Sequence, residues 1–478
     1  MKPGSRARRA NLIAWSVILL ASAWVIAQNM GHGAAGSEKP EAQASVSAQG
    51  AIMTSLVNGM MAEPWRDAMG PQLSQLTGQV AALASEEDPG SELAAAALLT
   101  RLGARDLALE ALTGLRDRVA SGQVRSDERF DGVLSAAIEL VDAAKEPGTR
   151  MIPEEACSRV VDAMGPTGRM LVAQARGDRD ELARLESAGA AVLMAVAVIG
   201  FAAFLLGLAG LALLVVFVVL AVLGRTAGIP LQPGDRNHVY AEVFAVWLVG
   251  YMALMRVPAW ASARMETLTG GPLPIEAGMG VTLVMTVVAA ALAVWWGTRR
   301  GLSLRTLAQG VGLRPFTAMD LVWGIACWSM GIVLLAAGVG VTWILSQASG
   351  DGPMRASHPI QQMIQGSGGM GLLLSYLLAC ASAPFFEELF FRGAMYRNLR
   401  IGLGRWGGLG SALLAAGISS VVFAAIHPQG LVFIPVLAGL ALAFSIMREW
   451  RGSINGSIVA HAINNTVVLS LNVIMLRG

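Results

Sequence analysis

Residues 188–224 read AGAAVLMAVAVIGFAAFLLGLAGLALLVVFVVLAVLG and contain no charged side chain. A helix of about 20 apolar residues is enough to cross the roughly 30 Å hydrocarbon core of a bilayer, so this run predicts a transmembrane helix. It is longer than one span requires, and it contains Gly200, Gly207 and Gly210. These features predict either one tilted helix or a tight pair of helices.

Further apolar runs lie on both sides of this segment. The 478-residue chain is 54% hydrophobic and only 14% charged, so much of it must face lipid rather than water. One run extends from Asn11 to about Ala27, and the others lie near 239–255, 278–297, 317–347, 370–396, 408–426, 431–447 and 454–476. The pattern predicts an all-α fold, a polytopic membrane helix bundle of about nine spans.

The first apolar run follows a basic N-terminus that contains Lys2 and several arginines. This arrangement is typical of a signal anchor, and a cleaved signal peptide is the alternative. The small-x-small triplet Ala21-Ser22-Ala23 falls inside the run, and no clean cleavage site closes it. We therefore favour an anchor that remains attached as the first span.

Residues 31–186 have a different composition, rich in Ala, Glu, Asp, Arg, Ser and Gly. Helical spacing of apolar residues over 91–119 and 129–144 predicts a mostly helical aqueous domain, and no repeat period is firm enough to name an array. A Gly- and Ser-rich stretch from His32 to Gly50 predicts a flexible tether. The predicted organisation is an anchor at 1–30, an aqueous domain at 31–186 and a multi-helix membrane domain at 187–478.

The orientation in the membrane is predicted by the arginines between the spans, because Lys and Arg concentrate in cytoplasmic loops. With nine spans and a cytoplasmic N-terminus, the loops assigned to the other side hold only Arg256, Arg264, Arg355 and Arg477. Those assigned to the cytoplasm hold Arg225, Arg236, Arg299, Arg300, Arg305, Arg314, Arg397, Arg400, Arg405, Arg448 and Arg451. This asymmetry predicts a multi-pass protein of the cell (inner) membrane with residues 31–186 outside the cytoplasm.

Several classes of partner are not indicated by the sequence. The net charge is +2, and no basic cluster is interleaved with aromatic residues as a nucleic-acid surface requires. Cys157, Cys327 and Cys380 lie far apart, so neither a CxxC metal motif nor a disulfide framework is present. No cofactor is predicted, and the sequence gives no indication of an oligomeric state.

The last four predicted spans contain very few ionisable side chains. Between Met370 and Phe391 the only charges are Glu387 and Glu388, while His427 and His461 are isolated in later segments. Each such group inside a span costs at least about 2.5–3.5 kcal/mol on insertion scales. Scattered singletons would be expensive, so we expect these four residues to converge on one water-accessible cavity.

Helical spacing assigns different positions to the two carboxylates. Glu388 and Arg392 are four residues apart and share one face of a helix, so the guanidinium is expected to pair with that carboxylate. Glu387 points about 100° away from this face. We therefore expect Glu388 to be structural and Glu387 to be available for chemistry.

The same reasoning applies to the residues near the C-terminus. His461 and Asn465 are also four apart, so an imidazole and an amide project from one helix face. This is a donor pair suited to a developing oxyanion. His427 follows Phe423 by four residues and precedes Pro428, which places it at or near a helix end.

These residues carry a resemblance to a known family. The run Phe386-Glu387-Glu388-Leu389-Phe390-Phe391-Arg392-Gly393 resembles the Glu-Glu-x-x-x-Arg motif of the CPBP family of CAAX proteases and bacteriocin-processing enzymes, also called Abi. Phe423-x-x-x-His427 and His461-x-x-x-Asn465 match its other two motifs in order and spacing. The resemblance covers about residues 275–475.

The resemblance implies an intramembrane glutamic endopeptidase that cleaves a membrane-associated protein or peptide without a metal. It implies that Glu387 is the general base, assisted by His427, and that His461 and Asn465 form the oxyanion site. Glu388 would organise the site with Arg392, and Phe423 would support it. The resemblance does not establish whether the substrate is prenylated.

Two alternatives come from other classes of protein. Two histidines and a glutamate are a plausible zinc set, but the sequence lacks His-Glu-x-x-His, and the amide of Asn465 is a poor zinc ligand. A non-proteolytic membrane scaffold or immunity-type protein would need no catalytic group. The intact polar set argues against this second alternative.

Overall fold

The computed structural model describes residues 3–34, 48–63, 65–83, 88–229, 236–349, 368–427, 429 and 431–477. Within these ranges the regular structure is helical and contains no strand. Nine of the described helices are long and apolar enough to cross a membrane, which confirms the predicted polytopic bundle. Most of the predicted tether, together with Pro428 and Arg355, lies outside the described residues.

The chain divides into two compact units. One contains residues 1–34 and 201–470, and the other contains residues 35–200 and 471–478. We call the first the membrane unit and the second the helical unit. The predicted extracytoplasmic position of 31–186 stays a prediction.

The helical unit has an apolar core of alanine, leucine and valine side chains. The stretch predicted as helical over 91–119 contains two helices, separated at Gly103, where φ is 82° and a side chain would be strained. Asp88 and Asp127 accept hydrogen bonds from backbone amides at the starts of two helices.

The first nine helices of the chain are α1 (Pro3–Ala34), α2 (Ala48–Met61), α3 (Trp65–Ala68), α4 (Gly70–Leu83), α5 (Pro89–Arg101), α6 (Arg105–Ala120), α7 (Glu128–Ala143), α8 (Glu154–Arg176) and α9 (Arg179–Val222).

The long apolar run that begins at residue 188 belongs to α9, which is one continuous helix of 44 residues. The alternative of a tight helix pair is therefore wrong, and the predicted boundary at residue 186 lies within this helix. Gly210 of α9 packs so closely that a Cβ atom there would lie 2.0 Å from the carbonyl oxygen of Ser329. Gly210 thus allows close helix packing rather than a chain reversal, whereas a Cβ atom on Gly200 would meet nothing within 4 Å.

The membrane unit places many large apolar side chains on its outer surface. Leu205, Val215 and Val421 are examples, each about half exposed, as expected for helices that face lipid. Its remaining helices are α10 (Asn237–Leu254), α11 (Val257–Thr269), α12 (Ile275–Arg299), α13 (Leu304–Val311), α14 (Ala318–Ser349), α15 (Gly369–Gly402), α16 (Gly407–Ala425), α17 (Ile434–Arg451) and α18 (Asn455–Arg477).

The helix α1 packs into this unit. Ala14 and Ile18 are buried in a core that also contains side chains of α10. The indole of Trp15 donates a 2.9 Å hydrogen bond to Asn398 Oδ1, and Asn398 Nδ2 donates to Asn11 Oδ1 at 3.0 Å. These contacts join α1 to the rest of the membrane unit, and its retention as an anchor stays a prediction.

The helix α15 is irregular at the level of its backbone. Two π-helical segments, Leu377–Ser382 and Leu389–Met395, flank a short α-helical turn, Ala383–Glu388. Such segments disturb the regular hydrogen bonding of a helix and occur often at functional sites. The turn between them carries both glutamates of the motif.

The close packing of α14 against α17 brings the backbone of α17 near these glutamates. A Cβ atom on Gly439 would lie 2.3 Å from the carbonyl oxygen of Leu334, and one on Gly338 would lie 2.3 Å from that of Pro435. Only glycine allows the two backbones to approach so closely at these points. The packing positions Ala441 and Phe444 for contacts with the site described below.

Candidate active site

The membrane unit brings four of the predicted catalytic residues into contact, and the fifth, Asn465, lies one helical turn after His461. Glu387 and Glu388 come from α15, His427 from the turn after α16, and His461 and Asn465 from α18. Both histidines lie within 4 Å of a glutamate. The convergence expected from the cost of buried charge is therefore present in the structure.

The pair predicted between Glu388 and Arg392 is present and completely buried. Arg392 Nη1 donates to Glu388 Oε1 at 2.9 Å, and both side chains are 0% exposed. Arg392 Nη2 donates to the carbonyl oxygen of Ala441 at 2.9 Å. The guanidinium carbon also lies 4.6 Å from the ring centre of Phe423 and 5.1 Å from that of Phe444, distances typical of cation–π contacts.

His461 lies between the two carboxylates. Its Nδ1 atom is 3.1 Å from Glu388 Oε1, and its Nε2 atom is 3.9 Å from Glu387 Oε2. Its ring stacks on Phe444 with centroids 5.2 Å apart and an interplanar angle of 23°. His461 thus contacts both glutamates, in keeping with the expected convergence of these residues.

His427, in the turn after α16, lies close to Glu387 of α15. Its Nδ1 atom lies 2.6 Å from the backbone carbonyl oxygen of Phe423. A carbonyl can only accept, so Nδ1 carries the hydrogen of this bond, a tautomer assigned from the hydrogen bonding. His427 Nε2 is then directed to Glu387 Oε2 at 3.9 Å. The Phe423 ring lies 4.3 Å from the imidazole and holds it in place.

Glu387 differs from Glu388 in its surroundings. Its side chain is 20% exposed, and its Oε2 atom is buried without a hydrogen-bond partner among the described residues. The same oxygen lies 3.9 Å from Nε2 of each histidine. Glu388 thus occupies a buried position paired with Arg392, and Glu387 occupies a more exposed one, as their 100° separation on the helix predicts.

The Asn465 side chain also reaches α15, where it contacts the backbone of that helix. Asn465 Nδ2 donates to the carbonyl oxygen of Ala379 at 2.7 Å, and Asn465 Oδ1 accepts from Asn464 Nδ2 at 3.3 Å. Its amide therefore has a defined orientation. Asn464, the preceding residue, therefore contacts this amide directly.

Several contributors to the site are not evident in the sequence. Phe444 is one of many apolar residues of its segment, and Ala379 and Ala441 contribute only carbonyl oxygens. No side-chain pattern marks such residues in advance. Among the described residues, no group of three or more His, Cys, Asp or Glu side chains has the geometry to hold a metal ion.

Residues 369–467 match the family model of the type II CAAX prenyl endopeptidases described as Rce1-like. We call this segment the Rce1-like domain, after the family model that it matches. The Rce1-like domain begins at the start of α15 and contains every candidate residue from Glu387 to Asn465. The match is shorter than the resemblance at about 275–475, so α12 and α14 lie outside it.

Comparison with curated proteins found no match, and comparison with solved structures found none either. The Rce1-like domain supports peptidase activity in a multi-pass membrane protein. A peptide substrate and a bilayer environment follow from the same match and from the nine candidate spans.

Proposed function

We propose that the protein is an intramembrane endopeptidase that hydrolyses a peptide bond with a water molecule activated by Glu387 and His427. The observation that carries this proposal is the position of Glu387 Oε2, a buried carboxylate oxygen 3.9 Å from Nε2 of both His427 and His461. This separation is too long for a direct hydrogen bond. It suits groups that share a water molecule between them.

In the proposed reaction the water oxygen bonds to the scissile carbonyl carbon while Glu387 takes a proton from the water. With His427 Nδ1 bonded to the Phe423 carbonyl, Nε2 faces Glu387 and helps to orient the same water. Collapse of the tetrahedral intermediate breaks the carbon–nitrogen bond, and Glu387 returns the proton to the departing amine. The products are a carboxylic acid and an amine, and Glu387 is restored.

The negative charge that develops on the carbonyl oxygen requires hydrogen-bond donors. Asn465 Nδ2 has two hydrogens, one of which is used by Ala379, so the second is available to the oxyanion. His461 is the second donor. Its Nε2 atom lies 3.9 Å from Glu387 Oε2, beside the proposed water.

The substrate class is a membrane-associated protein or peptide, since the site lies among spans of the membrane unit. We propose that the protein resides in the cell (inner) membrane with a cytoplasmic N-terminus, and that residues 31–186 form an extracytoplasmic domain. A zinc-dependent protease and a non-proteolytic scaffold have no specific observation in their favour.

The proposal is tested with the purified full-length protein in bilayers and a library of membrane peptides, with products detected by mass spectrometry. We expect cleavage by the wild type in the presence and absence of a chelator, and none by Glu387→Ala. Equal cleavage by Glu387→Ala, or no cleavage of any library member by the wild type, would contradict the proposal.

A further inference from the structure

The Asn465 amide is held by a carbonyl group inside α15, where helix carbonyls normally have partners. In a regular α-helix the carbonyl oxygen of Ala379 would accept from the amide of Ala383, four residues later. In the π-helical segment Leu377–Ser382, however, the amide of Ala383 donates to Leu378, five residues back. The regular donor of the Ala379 carbonyl is therefore used elsewhere.

The next residue removes the remaining donor. In a π-helix the Ala379 carbonyl would accept from residue 384, five residues later, and this residue is Pro384. Proline has no backbone N–H. The Ala379 carbonyl thus lacks both the α-helical and the π-helical donor, and its observed partner is Asn465 Nδ2 at 2.7 Å.

We propose that Pro384 is a positioning residue for catalysis, which frees the Ala379 carbonyl so that this carbonyl orients the amide of Asn465. The inference rests on the proposed function of Asn465 as an oxyanion donor. Pro384 lies three residues before Glu387 in the sequence, but its effect is on Asn465 of a different helix, α18.

The physical effect is to fix which way the amide points. A carbonyl can bond only the NH₂ end of the Asn465 side chain, so the second N–H is directed away from Ala379 by the planar geometry of the amide. Without this bond the side chain would sample other orientations, and the donor would have to be ordered during the reaction. Preorganised donors avoid that cost.

The experiment uses Pro384→Ala, Asn465→Ala and the double variant in the full-length protein. An alanine at position 384 supplies the missing N–H to Ala379 and competes with Asn465. Loss of an oxyanion donor costs about 10²–10³ in kcat, so we expect this loss for Asn465→Ala and a smaller loss for Pro384→Ala, with KM unchanged in both. In the double variant kcat should fall no further than in Asn465→Ala.

Pro435 provides the matched control. It lies in the first turn of α17, where a backbone N–H has no intrahelical acceptor and proline does not remove a helix bond. Pro435→Ala should leave kcat unchanged, both alone and in the Asn465→Ala background. A loss in Pro384→Ala/Asn465→Ala equal to the product of the two single losses would overturn the positioning role.

A second measurement does not depend on Pro384→Ala being folded. In an otherwise wild-type chain, Asn465→Ala leaves the Ala379 carbonyl without a partner. Asn464→Ala is the control, because it removes a neighbouring amide of the same size. Asn465→Ala should therefore lower the thermal midpoint more than Asn464→Ala does. Equal midpoints for the two variants would overturn the inference. Wild-type cleavage that does not need Glu387 would instead contradict the proposed function and leave the stability result interpretable.

Discussion

The substitution Glu388→Gln removes the charge that neutralises Arg392 while preserving side-chain volume. Both partners are 0% exposed, and the other hydrogen bond of the guanidinium goes to an uncharged carbonyl, that of Ala441. Removing one partner of a buried ion pair costs about 3–5 kcal/mol, because an uncompensated charge is left in a low-dielectric interior. At roughly 2 °C per kcal/mol for a unit of this size, the thermal midpoint should fall by about 6–10 °C.

The matched control is Glu387→Gln, the same substitution one residue earlier. Glu387 has no arginine partner among the described residues, so its neutral amide is no harder to bury than its carboxylate. Its midpoint should be unchanged or higher. The midpoints are measured by intrinsic fluorescence of the purified variants in the same detergent, at the same scan rate.

A double variant tests whether the lost charge pair is the cause. Glu388→Gln combined with Arg392→Gln leaves two neutral amides, and it should recover most of the stability lost in Glu388→Gln. A Glu388→Gln variant that melts at the same temperature as Glu387→Gln would refute a stabilising role for the buried pair. So would a double variant that loses as much stability as the two single variants added together.

Three further predictions concern the membrane unit and its topology. A reporter that is active only in the cytoplasm should be active when fused after Arg300 or Arg451 and inactive when fused after Gly122. Activity at Gly122 would place residues 31–186 in the cytoplasm and contradict the predicted topology. Chelation should leave cleavage unchanged, whereas turnover lost on chelation and restored by zinc would indicate a metalloprotease. Phe423→Ala should lower the free energy of unfolding by about 3–5 kcal/mol. It should also reduce kcat, because this ring contacts both His427 and Arg392. Val421→Ala, at a lipid-facing position, should change neither the stability nor kcat.

The sequence was most informative where the structure depends on local chemistry. Long apolar runs are sufficient to predict spans, since a helix is the structure that satisfies a single segment's backbone in lipid. The Glu388–Arg392 pair follows from a four-residue spacing, and the convergence of both histidines on the glutamates follows from the cost of isolated charge. These features were therefore predictable from the residues alone.

Other features depend on contacts between distant segments. The bond from Asn465 to the Ala379 carbonyl joins α18 to α15, so neither segment predicts it alone. The stacking of Phe444 on His461 depends on the close approach of α17. The continuity of α9 was undecided because its glycines suit a tight turn as well as close helix packing. The retained anchor, the orientation and the roles of the site residues stay predictions.

The central claim is that Glu387 is the base of a water-dependent peptidase. It is tested most directly by the single-turnover cleavage rate of Glu387→Gln relative to wild type, at equal amounts of folded protein and with one identified peptide substrate. Loss of a general base lowers such a rate by about 10²–10⁴, and we predict a loss of this size with no fall in the thermal midpoint. Cleavage by Glu387→Gln at the wild-type rate would contradict the account.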